Sequence, residues 1–205
     1  MGSKRSGLDR INAAAVRVIG RRGFADATTQ EIAKAARVSE GLIFRYYATK
    51  EKLGLELFSR HHQEILALLR ERALQHNDPV ERLEALAMAF FHWFDENPDV
   101  ARFLLRTHGE FLEKVEHGQG LMQLASAGLR DVLGEPLFLL FPNDILTAMG
   151  LGSVLQVAVE CVHGQITGPL APRMEPILRV LAENIRRVLP ASSLKTGGAE
   201  PGPAK

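Results

Sequence analysis

The 205-residue chain is long enough to bury the core of one large domain or two small ones. Its formal net charge is only +1, and its single cysteine, Cys161, excludes an intrachain disulfide framework. The first ten residues are polar and the most apolar stretch, Ile145 to Val159, is broken by Thr147, Ser153 and Gln156, so neither a secretory signal nor a membrane span is expected.

These features predict a soluble, cytoplasmic protein with no membrane partner. Charge is unevenly placed. Residues 1–60 hold 12 Lys/Arg against 6 Asp/Glu, and the remainder holds 13 against 18. A basic head on an acidic body suits a protein that presents one face to a polyphosphate.

The pattern along the chain is helical almost throughout, and an all-α fold of about nine helices is expected. Leu8, Ile11, Ala15 and Val18 mark one stripe of a first helix that stops at Gly23. Thr28 and Glu31 form a T-x-x-E capping box at the start of the second, whose apolar face is Ile32, Ala33 and Ala36. That pattern breaks at Arg37-Val38, and Ser39 is an N-cap for a third helix only a few residues later. Two short helices crossing at a tight turn, with small Ala33 at the crossing and Val38 and Ile43 filling the angle, make a helix-turn-helix.

A long helix follows from Thr49 to about His76, roughly 40 Å at 1.5 Å per residue. Asp78-Pro79-Val80-Glu81 starts the next one sharply, with an N-cap, a proline at the first helical position and a capping glutamate. Asn97-Pro98 opens a helix to about His108, and residues 109–120 read as bent or broken. Leu121 to Leu133 is helical, and Leu137–Phe141 is too short to assign. Helices at about 143–163 and 172–189 close the chain, and residues 190–205 have too little to bury to be ordered.

The joint run of Thr28-Thr29, Ile32-Ala33, Val38-Ser39, Gly41, Tyr46-Tyr47, Lys50-Glu51 and Leu53 resembles the DNA-binding domain of the TetR family of transcriptional regulators. The resemblance covers residues 8–58, and the remainder fits in helical content and element order. It implies an N-terminal DNA-binding domain over residues 1–48 and a C-terminal effector-binding and dimerisation domain over 49–189. Its implied partners are a double-stranded DNA operator, a small-molecule effector and a second copy of the chain. Repressors are the usual members. The chain departs from the family pattern at Arg37, where the turn usually has glycine, and at Leu42 and Phe44, where hydroxyl residues are common.

Phosphates are bound by hydroxyls, cations and helix-start N–H groups, which selects Thr29, Ser39, Tyr46 and Lys50, with Arg37 close to the backbone. Gly41 lets the main chain approach the duplex. Glu40, Leu42 and Arg45 project from the recognition helix, Arg45 being the candidate for guanine O6/N7, with a phosphate clamp as the alternative. Tyr47 is expected in the core. Lys4 and Arg5 could enter a minor groove as an arm or remain unengaged.

Residues 85–94, ALAMAFFHWF, are apolar nearly all round, as in a helix enclosed on most sides. Phe90, Phe91, Trp93, Phe94, Phe103 and Phe111 are six of the chain's 13 aromatics. Such a concentration either fills a core or walls a cavity for an apolar, aromatic or acyl-bearing ligand. Arg106 and His108 are the first candidates to orient that ligand.

No catalytic residues, cofactor or metal are expected. His61, His62 and Glu64 do not share one helix face, and the lone E-x-x-H at Glu160–His163 lacks the second copy that di-iron bundles need. Stripes of Ile145, Met149, Gly152, Leu155, Val159 and Val162, then Ile177, Leu178, Leu181, Ile185 and Val188, line the last two helices. In the family these pair with their symmetry mates. The competing function is a constitutive DNA-binding or scaffold protein with no effector.

Overall fold

The computed structural model describes residues 6–115, 125–131 and 143–188. The expected basic arm, the 137–141 run and the 190–205 tail lie outside the described residues. Those that are described form helices, turns and loops with no strand. The helices are α1 (Gly7–Arg22), α2 (Thr29–Ala36), α3 (Glu40–Tyr46), α4 (Lys50–Leu74), α5 (Pro79–Glu96), α6 (Pro98–Phe111), α7 (residues 125–131), α8 (Asn143–Val162) and α9 (Ala171–Val188). None is long and apolar enough to cross a membrane.

Two compact units emerge, Met1–Ile65 with Glu96–Gly118, and Leu66–Asp95 with Gln119–Lys205. The first therefore extends beyond residue 48 and takes in the start of α4 and all of α6. It is built on α1. Ser6 and Asp9 exchange cap hydrogen bonds at 3.1 Å to start that helix, and Gly23, at φ 89°, ends it. Ile11, Ala14, Ala15 and Ile19 form its fully buried face. Gly20 brings α6 close, since a Cβ there would stand 3.2 Å from the backbone nitrogen of Phe103.

The capping box of α2 forms as expected, with Thr28 Oγ1 accepting from the Glu31 N–H and the Glu31 carboxylate accepting from the Thr28 N–H. Arg37 ends α2 at φ 56° and ψ 52°, the sole positive φ among described non-glycine residues. Its N–H and that of Val38 satisfy carbonyls of the last helical turn. Arg37→Gly should therefore leave stability unchanged or raise it by up to about 1 kcal/mol, because a left-handed residue with a side chain is strained. Denaturant titration showing a loss of more than about 1 kcal/mol would mean that the arginine side chain stabilises the turn.

In the second unit the Asp78 side chain caps α5, accepting from the Glu81 N–H at 2.9 Å. Val80 and Ala182 pack together with Leu83 and Ile185, joining α5 to α9. Arg186 reinforces that seam through Asp78 at 3.1 Å. Asp95, at the other end of α5, accepts from the N–H groups of Leu170 and Ala171 at 2.9 and 2.8 Å. A carboxylate thus satisfies the start of α9 from a different helix, where it also complements the macrodipole.

Candidate nucleic-acid interface

Three contacts hold α3 against the first unit. Ile43 is fully buried, and Tyr47, just past the helix, is buried with its hydroxyl donating to Asn12 Oδ1 at 2.8 Å. Burial, aided by the charge of Glu56, raises the phenol pKa above its ordinary value. Leu42 is half-buried over the start of α1, where a Cβ on Gly7 would stand 3.3 Å from it. Leu42, expected to face DNA, is therefore partly spent on packing.

At the start of α3, Ser39 has the extended backbone of an N-cap, but its hydroxyl makes no cap bond. Glu40 instead accepts a hydrogen bond from the hydroxyl of Thr29. Two residues expected at the duplex are thus tied to each other, and the single O–H of Thr29 is engaged.

The outward surface of α3 comprises Gly41, Phe44, Arg45 and Tyr46, all exposed. A Cβ on Gly41 would meet nothing within 4 Å, so no packing within the chain demands a glycine there. Phe44, 48% exposed, was not among the expected contacts. Its signal in the sequence was the apolar pattern itself: Leu42, Ile43 and Phe44 are consecutive on a helix, and three adjacent residues cannot share one buried face.

Lys50 requires a correction. Its ammonium donates to the carbonyls of Phe24, Ala25 and Ala27 at 2.9, 3.3 and 3.0 Å, and lies 4.5 Å from the centroid of the Phe24 ring. All three of its donors are committed within the chain, so none is left for a phosphate. A sequence signal existed, because a cation in the first helical turn opposes the macrodipole and needs a fixed local partner.

The aromatic residues divide between the two units. Phe111 packs edge-on to Phe24 at 4.8 Å and against Phe58 at 5.8 Å in the first. Gly54 makes room, since a Cβ there would come within 2.7 Å of Phe24 and 2.8 Å of Phe111. Phe103 is fully buried on the same helix, which packs on α1. Both residues, grouped with α5 by sequence proximity, are claimed by the core of the first unit. Arg106 likewise donates to the Arg21 carbonyl at 3.2 Å, at the C-terminal end of α1, and His108 is exposed.

Phe90, Phe91 and Phe94 are buried in the second unit, with Phe90 5.5 Å from Phe91 and 6.4 Å from Phe94. Every residue from Arg82 to Ala89 is half-buried, with none enclosed and none fully exposed.

Residues 11–57 match the family described as bacterial regulatory proteins, tetR family. The HTH-type transcriptional regulator BetI of Brucella canis is 33% identical over 106 residues, 52% of this chain and 50% of that protein. The chain spans about half the length, or less, of the curated relatives it matches first. Among solved structures, the fatty acid degradation regulator FadR of Bacillus halodurans aligns with a TM-score of 0.71 at 22% identity, over 85% of this chain and 97% of that one. FadR of Bacillus subtilis, solved with stearoyl-CoA, aligns with a TM-score of 0.69 at 19% identity, over 85% and 97%. These likenesses establish a shared fold.

Proposed function

We propose, from the match of residues 11–57 to the family described as bacterial regulatory proteins, tetR family, and the likeness to BetI, that this chain is a DNA-binding transcriptional regulator, a homodimeric repressor released from its operator by a small apolar effector. The carrying observation is the free outer face of α3, where Gly41 and Arg45 serve no partner within the described fold. Residues 1–48 form the reading head in this proposal, and 49–189 take the effector and the second copy. Two recognition helices related by a two-fold axis read two half-sites about one helical turn apart.

The effector part of the proposal rests on α5. A run that is apolar and half-buried at every position from Ala85 to Ala89 suits the wall of a cavity better than a solid core. Phe90, Phe91 and Phe94 are enclosed, so contacts fall to half-buried neighbours such as Met88. A body of acyl or aromatic carbon fits those walls, and stearoyl-CoA, bound by a protein of the same fold, is the first compound to try. Binding favours a state whose heads are misplaced for consecutive major grooves.

The test begins with selection of a duplex site from a random pool by the full-length protein. Fluorescence anisotropy on that site, with stearoyl-CoA and a panel of apolar aromatics, should show release together with a raised melting temperature. Operator binding that no compound disturbs would favour a constitutive DNA-binding protein. On the same duplex, Gly41→Ala should weaken binding while stabilising the free protein by up to about 1 kcal/mol, the helix-propensity gain of alanine over glycine. Unchanged affinity would place the duplex away from the first turn of α3.

A further inference from the structure

We infer that Phe44 reads the C5-methyl group of a thymine in each half-site, making it a determinant of operator sequence. The inference rests on the proposal that α3 enters the major groove. Of the apolar side chains on α3, Ile43 is enclosed and Leu42 covers the start of α1, whereas Phe44 remains 48% exposed. Its ring makes none of the aromatic contacts found among the described residues. One turn earlier stands Gly41, with open space where a side chain would be. The ring therefore borders a bare stretch of backbone.

Exposing a ring of this size to water is unfavourable unless another surface covers it. Phenylalanine has no donor or acceptor, so it gains nothing by hydrogen bonding to phosphate or to a base edge. In the major groove the apolar feature that a ring can cover is the thymine methyl, which distinguishes that base from the other three. Arg45 points about 100° away around the helix, so the two side chains read different parts of the half-site.

The test uses the site selected by the full-length protein, with each thymine in turn replaced by deoxyuridine, which removes the methyl and keeps every hydrogen-bonding group. The wild-type protein should lose affinity about fourfold at one thymine per half-site, and about fifteenfold when both symmetry-related methyls are removed, the effect of unburying one methyl in each half. Phe44→Ala, whose folding is checked by an unchanged melting temperature, should bind the thymine and deoxyuridine duplexes equally. Arg45→Ala should keep the methyl dependence, which separates the two readings. A wild-type protein indifferent to every replacement would overturn the inference, as would a Phe44→Ala protein with undiminished methyl dependence. Failure to select any site would instead overturn the operator proposal itself.

Discussion

A glutamate at Leu181 should turn the protein into monomers and lower operator affinity on the order of a thousandfold, equivalent to about 4 kcal/mol. Leu181 is 51% exposed on α9, in a stripe with Ile177 at 51%, Val180 at 56% and Val188 at 81%. On α8, Ile145 and Met149 are 55% and 67% exposed. Apolar stripes of this kind on a monomer mark an interaction surface, and in a two-fold interface the same patch serves both partners. Each substitution then appears twice, and each forfeits the roughly 1.5–3 kcal/mol of a buried leucine before the cost of enclosing a charge. A single head retains half of the DNA contacts, which is why operator binding should fall with the dimer. Sedimentation velocity and anisotropy on the same samples measure both. If Leu181→Glu and Ile177→Glu both sediment as intact dimers, the interface lies elsewhere.

Lys50→Ala should destabilise the protein by about 2–3 kcal/mol, a fall of several degrees in melting temperature for a chain of this size. The ammonium ties the loop before α2 to the start of α4 through three carbonyls, and its loss removes charge-assisted hydrogen bonds that no neighbour replaces. The salt dependence of DNA binding by the folded variant should stay the same. A lysine on a phosphate would behave in the opposite way, with an unchanged melting temperature and a salt slope reduced by about one. Measuring both quantities on one preparation distinguishes the two roles. A stable Lys50→Ala protein with a shallower slope would return this residue to the DNA interface.

Chemistry within a few residues of chain set the punctuation of this protein, which is why it was legible without coordinates. The capping pair Thr28–Glu31, the Asp78 cap before Pro79 and the left-handed turn at Arg37 each involve groups no more than five positions apart. Apolar period then placed Ile32, Ala33, Ala36 and Ile43 in the core of the helix-turn-helix, where they are buried. Even the Gly41 gap could be anticipated, because glycine in a short helix is costly unless something must come close.

Long-range partners decided the rest. A lysine ammonium that turns outward and one that folds back on carbonyls 23 to 26 residues earlier have the same local sequence. Arg106 bonds a carbonyl 85 residues before it, and Phe111 meets Phe24 and Phe58, so neither choice could be read from the residues beside them. The sequence by itself determined the buried face of the helix-turn-helix and the starts of α2, α3 and α5. Only the tertiary structure decided which neighbour buries them, because packing pairs surfaces that the chain brings together from distant positions. By the same reason it left Phe44 uncovered: with Leu42 and Ile43 claimed by the fold, helical geometry turns the next residue outward.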